Sequence, residues 1–354
     1  MPGRARKDYF DQNEVGIYHC YNRCTRAAFL CGQDSESGED YSHRKEWVRR
    51  RLEALASIFA IDVATHSAMD NHLHVVIRNR PDVVESWTDE QAVRRWLRLD
   101  AKRLELREVD EKQVEAILKD PEQVAACRRK LSSISEFMRM LDEPIAREAN
   151  REDGARGHFW EERFKCQRLL DEASLLACSL YVDLNPIRAM LAETPEQSQY
   201  TSAYDRIQDL QAVASDQPVA SPTEEDGTTA EAATHAQAGW LAPVDEAGDG
   251  YDGAARGRRA SDKGLLPLSL PKYLEFLDWT GRQLVPGKAG AIPAHLAPIL
   301  ERLGVRADRW IETVTKFGRS FGHVVGRAAA VAAHAAKLGR RFWRGIGACR
   351  EAFA

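Results

Sequence analysis

His72 and His74, separated by one leucine and followed by Val75-Val76-Ile77, are the residues of this sequence best spaced to do chemistry. The β-branched run reads as a strand with period-2 alternation. On a strand, residues i and i+2 project from the same face. Both imidazoles therefore stand together, with Leu73 turned away. Two neutral ring nitrogens so placed can serve one divalent cation. A His-x-His pair also arises among ordinary surface and core histidines, so it becomes a site only with further groups.

A second pair lies on a helix. Asp171-Glu172-Ala173 places acids in a first turn, and apolar residues continue through Leu180 and Leu184 to Asn185-Pro186. Tyr181 and Asn185 are four apart, hence one turn from each other on one helix face. Pro186 lacks the amide that would bond back to Val182, so the helix ends, kinks or restarts there. A packed tyrosine beside a capping asparagine is the bland reading. The chemical one takes the phenol as a nucleophile, which at a reference pKa of about 10 needs a nearby metal or base and an aligned target. No other tyrosine occurs between Tyr41 and Tyr181.

Two other groupings carry weaker signals. His19 with Cys20, Cys24 and Cys31 could suggest zinc, but no CxxC pair is present and His19 and Cys20 would face opposite sides of a strand. Arg163 and Lys165 alternate after Gly157-His158-Phe159-Trp160 and would share one strand face. That face suits phosphates, although a solvated basic face is the leading reading from pattern alone.

The elements that must position these residues follow from the rest of the chain. Val15 to Cys24 reads as a strand, Trp47 to Phe59 as a helix, and Ile61 to Ser67 as a second strand. Met69-Asp70-Asn71 then turns into the strand of His72. Strand, helix, strand, turn, strand is the start of a split βαβ, ferredoxin-like sheet. Residues 82–130 read as two or three charged helices, and Leu131 to Asn150 as another amphipathic helix. The expected organisation is a catalytic unit over 1–204, a disordered acidic linker over 205–262, and a small basic α-helical domain over 263–354. That last unit includes helices at Pro293 to Leu303 and from Ala307.

The chain has 354 residues and a formal net charge of -4, enough to bury a sizeable core. The charge is uneven. Residues 201–250 hold ten acids against one arginine, whereas 251–354 hold eighteen basic residues against eight acids. A basic tail favours nucleic acid as a partner. No apolar run is long enough to span a bilayer and no signal-peptide pattern opens the chain, so a cytoplasmic protein with its seven cysteines reduced is expected.

Four segments taken together carry a family likeness. They are Ile17-Tyr18-His19 through Asn22-Arg23, Met69 through His74, Gly157-His158-Phe159-Trp160 through Arg163-Phe164-Lys165, and Tyr181-Val182-Asp183-Leu184-Asn185-Pro186-Ile187-Arg188. In this order they resemble the single-tyrosine HUH transposases, in the REP-associated tyrosine transposase branch, over roughly residues 1–205. The resemblance implies an α+β fold, a ferredoxin-like antiparallel sheet with flanking helices. It also implies a homodimer acting on single-stranded or hairpin DNA. By likeness His72, His74 and Asn185 are ligands of Mg²⁺ or Mn²⁺, and Tyr181 is the nucleophile that forms a 5′-phosphotyrosine. Arg23, Arg163, Lys165 and Arg188 are the expected DNA contacts. The chain departs from compact family members in the expanded helices of 82–130, in the acids Glu161-Glu162, and in the appended C-terminal segments. A hairpin-binding protein without turnover is the alternative, and a metal hydrolase using water is a third reading.

Overall fold

In the computed structural model, residues 13–25, 31–33, 38–214, 237–284, 317, 321, 323–340, 343 and 345–353 are described. Aromatic and β-branched residues build β1 (Gly16–Arg23), β2 (Ile61–Ala68) and β3 (His72–Asn79), and β4 (Lys165–Leu169) follows much later. The sheet order is β2-β3-β1-β4-β5. The first four strands are antiparallel and have the order expected of a split βαβ unit. The fifth, β5 (Val324–Val325), pairs parallel to β4, so the sheet is not wholly antiparallel.

Helices α1 (Arg44–Ile58) and α6 (Ile134–Glu152) pack on each other, and α1 also packs on β2. Between β3 and α6 the chain forms four helices, where two or three were expected. They are α2 (Pro81–Ser86), α3 (Asp89–Leu97), α4 (Glu111–Leu118) and α5 (Pro121–Leu131). Three of the starts are capped by side-chain oxygens, those of Thr88, Asp110 and Asp120 on α3, α4 and α5, and α2 opens on Pro81. Val93, Val114 and Val124 from three of these helices share a small core of their own.

Helix α7 (Glu172–Asp183) opens on a capping box formed by Asp171 and Ser174 and is buried nearly all round. It packs on β2 and β3. At Leu184 the backbone leaves the helix, and a short turn α8 (Asn185–Arg188) restarts with Pro186 near its N-terminus.

The acidic linker reading is corrected over the residues described. Ser202–Ala214 form helix α9, and Trp240, Leu241 and Ala242 are buried in the main core. The Ala242 amide donates to the Val63 carbonyl, and the Ala68 amide donates to Tyr200. Arg206 donates to the carbonyls of Ala64 and Ala242. Together these segments cover the outer edge of β2, which would otherwise expose unpaired backbone groups. The acids that suggested a solvated tether are used by cations and amides. Asp205 faces Arg49, Asp209 accepts from the amides of Gln237 and Ala238, and Asp249 and Asp262 hold the buried Arg259. Residues 215–236 lie outside the described residues.

The reading of 263–354 as a separate domain is corrected in the same way. Helix α10 (Leu270–Leu284) packs on α7, where the Tyr273 hydroxyl donates to Asp183 at 2.6 Å. Phe317, Phe321, Val324 and Val325 belong to the same core as β1 and β3. Helices α11 (Ala328–Lys337) and α12 (Ile346–Ala352) pack on each other beyond β5. The helices expected at Pro293 to Leu303 and from Ala307 lie outside the described residues.

Candidate active site

Strand register decides which side chains meet. On β1 and β3, Tyr21 lies opposite His74 and Arg23 opposite His72. On β1 and β4, His19 lies opposite Gln167 and Tyr21 opposite Lys165. Cross-strand partners share a face. One face of the sheet therefore carries His19, Tyr21, Arg23, His72, His74, Lys165 and Gln167. Tyr18, Cys20, Leu73, Val75 and Cys166 fill the other, where the Cys20 and Cys166 sulfurs are 3.8 Å apart. All the described cysteines are free and buried, and none forms the zinc group with His19 that its neighbours suggested.

Helix α7 lays Tyr181 across the histidine face. Its ring centroid is 5.4 Å from His74 and 6.0 Å from His19, both edge-on. The His72 and His74 rings are 5.0 Å apart and nearly perpendicular. A cleft of about 290 Å³ opens here, and its wall includes His72, His74, Tyr181, Arg23, Arg163 and Lys165. Six of the eight residues singled out from the sequence thus share one cavity. Arg163 reaches it from the loop before β4, not from the strand itself.

Asn185 and Arg188 are placed differently. Asn185 is buried at the α7–α8 break, its side-chain amide donates to the Val182 carbonyl at 3.4 Å, and it does not line the cleft. The Arg188 guanidinium sits 4.8 Å from the centre of the Tyr181 ring and is outside the cleft wall, so it bears on the tyrosine and not on the cavity. Burial lowers its pKa to about 10, against a rise from Tyr181, and it remains a cation at neutral pH.

The histidines are neutral at pH 7. Burial first, then the charge of Arg23, lowers His72 to about 4. Burial lowers His19 to about 4 and holds His74 well below the ordinary histidine range. The His72 Nδ1 lies 2.6 Å from the Asn71 side-chain oxygen, which can only accept, so that nitrogen carries the proton and Nε2 does not. Neutral imidazole is the form that ligates.

His72 and His74 fit a divalent ion as two neutral nitrogen donors. Among the described residues, no group of three or more His, Cys, Asp or Glu is arranged to hold one. With the Asn185 amide turned to Val182, the third donor is not assembled on the cleft wall.

The cleft wall also holds residues that the sequence did not single out for it: His19, Tyr21, Asn22, Glu161 and Glu162. Parity along β1 could have found His19 and Tyr21, since both share the face of Arg23. Glu162 pairs with Lys165 at 2.6 Å, with both side chains about half exposed, so the charge of Lys165 is partly neutralised at the cleft rim.

No protein-family model matches this chain, and no curated protein matches it. Among solved structures it is similar to a REP-associated tyrosine transposase bound to a REP hairpin. The identity is 10%, the TM-score is 0.35, and the alignment covers 65% of this chain and 96% of that one. The likeness is distant. No described helix is long and apolar enough to cross a membrane.

Proposed function

We propose that this protein cleaves and rejoins single-stranded or hairpin DNA through a covalent link to Tyr181, in the manner of a tyrosine HUH transposase. The observation that supports this best is the joint placement of a tyrosine against two neutral histidines in a cleft rimmed by Arg23, Arg163 and Lys165. A phenol, a pair of metal-ligating nitrogens and a set of phosphate-seeking cations are the groups that phosphodiester transesterification needs.

In this reading Arg23, Arg163 and Lys165 hold the sugar–phosphate backbone over the tyrosine. The Tyr181 oxygen attacks phosphorus, the bond from phosphorus to the 3′ oxygen breaks, and the phenolic proton is balanced by protonation of the departing 3′ oxygen. The products are a 5′-phosphotyrosine and a free 3′-hydroxyl. Arg188, over the Tyr181 ring, favours the phenolate as the proton leaves. His72 and His74 would hold Mg²⁺ or Mn²⁺, which would supply positive charge to the phosphoryl oxygens. A second 3′-hydroxyl attacking the phosphotyrosine reverses the step or joins a new strand, and the ester conserves the bond so that no external energy is needed.

The position of Asn185 outside the cleft wall favours a second reading, a hairpin-binding protein without turnover. One experiment separates the two. Wild type and Tyr181→Phe are incubated with labelled single-stranded hairpins from repeats flanking the gene, with Mn²⁺ or EDTA, and resolved on a denaturing gel. A metal-dependent adduct that Tyr181→Phe abolishes while still binding DNA is the expected result. Hairpin binding without adduct under any metal would turn the assignment to the binding protein, and adduct persisting in Tyr181→Phe would remove Tyr181 as nucleophile.

A further inference from the structure

His19 touches the centre of this site without being one of its ligands. Its Nε2 lies 2.9 Å from Nδ1 of His74, and its Nδ1 lies 3.0 Å from Oε1 of Gln167. The Gln167 amide nitrogen in turn donates to the Phe321 carbonyl at 3.2 Å. His19 and Gln167 face each other directly across β1 and β4, and both are buried. The His19 and His74 ring planes differ by 21° and their centroids are 5.0 Å apart. That separation is close to the nitrogen–nitrogen distance plus the two ring radii. The rings therefore meet edge to edge in nearly one plane, as an N–H···N hydrogen bond requires, and not face over face.

Proton positions along this chain follow from its far end. A backbone carbonyl can only accept, so Gln167 must turn its NH₂ to Phe321 and its oxygen to His19. An amide oxygen also only accepts, so His19 carries its proton on Nδ1. Neutral His19 then has a bare Nε2, which can only accept from His74. His74 is thereby held with its proton on Nδ1 and its Nε2 unprotonated, the same tautomer that Asn71 imposes on His72.

We propose that His19 and Gln167 are positioning residues that fix the tautomer of His74 and leave its Nε2 as a lone pair available to a divalent ion. The inference rests on the proposed metal site only for its purpose; the proton order itself is a property of the ligand-free protein. Outer partners of this kind set ring orientation and typically change metal affinity by about 10- to 100-fold. Phe321 links the order to the C-terminal segment, because its carbonyl is the fixed acceptor that starts the relay.

The test is made on the full chain without metal or DNA. Long-range nitrogen–proton correlation of ¹⁵N-histidine-labelled protein reads each ring's tautomer, with His19→Gln and His74→Gln used for assignment. Wild type should show His19 and His74 both protonated at Nδ1. Gln167→Glu, which still offers an acceptor to His19, should keep that pattern. Gln167→Met removes the acceptor and should release His19 to protonate Nε2, driving His74 to its Nε2–H form. A wild-type His74 protonated at Nε2 overturns the proposal, as does an unchanged His74 tautomer in folded Gln167→Met. Mn²⁺ titration followed by paramagnetic resonance should then show affinity about tenfold weaker in Gln167→Met and recovered in Gln167→Glu. If the tautomer pattern holds and wild type binds no Mn²⁺, the relay stands and the metal reading falls.

Discussion

His66 offers the most direct test of how this sheet is held. It lies on β2, is 0% exposed, and packs its ring 5.2 Å from that of Trp240. Among the described residues neither ring nitrogen has a hydrogen-bond partner. Burial, reinforced by the charges of Arg49 and Arg206, lowers its pKa from 6.5 to about 3. The folded state therefore keeps His66 neutral while the unfolded chain takes up a proton as pH falls through 6.5. Its contribution to stability is intact above pH 6.5 and is lost progressively on the way down to about pH 3. At 1.36 kcal/mol per unit, the loss from this one group between pH 7 and pH 4 is about 3 kcal/mol. His66→Leu removes the titrating ring and its unpaired polar atoms, so at pH 7 the variant should be at least as stable as wild type. Other buried histidines also weaken the fold in acid, but they do so in both proteins. The difference between the two isolates His66. Urea unfolding at pH 7, 6, 5 and 4 reads it directly. The gap in favour of His66→Leu should widen by about 3 kcal/mol over that range. A gap that stays constant with pH would mean that the folded ring is solvated or partnered, and the burial argument would fail.

Three further outcomes follow from charges elsewhere in the molecule. Arg163→Ala should weaken binding to single-stranded hairpin DNA and flatten the slope of log affinity against log salt by about 0.7, while Glu162→Gln, which frees Lys165, should strengthen binding at low salt; filter binding across a salt series checks both, and an unchanged slope removes Arg163 from the DNA path. Asp62 is fully buried, meets Arg78 at 2.6 Å and Arg80 at 3.3 Å, and accepts from the Ser261 hydroxyl at 3.0 Å. Asp62→Ala leaves two guanidinium groups without their shared carboxylate and should cost about 3–5 kcal/mol in urea unfolding; a loss below about 1 kcal/mol would show that the cluster is solvated.

The parts of this fold that were legible in the sequence are those governed by a single local period. Alternation on β3 put His72 and His74 on one face because a strand leaves no other choice, and the four-residue spacing of α7 and α8 put Tyr181 beside a helix break. Helix starts were legible where a capping residue precedes an apolar run, as at Asp171. What local pattern does not carry is partnership at long range. Asp205 and Asp209 look like solvating charge until Arg49, 156 residues from Asp205, and the amides of Gln237 and Ala238, 28 and 29 residues from Asp209, come to meet them. Only the apolar island Trp240-Leu241-Ala242 hinted that the stretch is packed. Val324-Val325 is too short to show any period, yet it adds a strand to the sheet.

The same distinction explains the site. Asn185 satisfies the spacing that marked it, but Pro186 turns the chain after Leu184, and helical spacing says nothing of where a side chain goes once the helix has ended. Local pattern groups His19 with its neighbouring cysteines, although Cys20, the one on β1, belongs to the opposite face. Its partners are His74, 55 residues away, and Gln167, 148 residues away. Both contacts are consequences of register, β1 lying between β3 and β4. In a split βαβ sheet the first strand is an inner one, flanked by strands that come much later in the chain. Side chains on such a strand gather partners from both neighbours at once, which is why a residue that reaches both His74 and Tyr181 lies on a strand without a conspicuous motif.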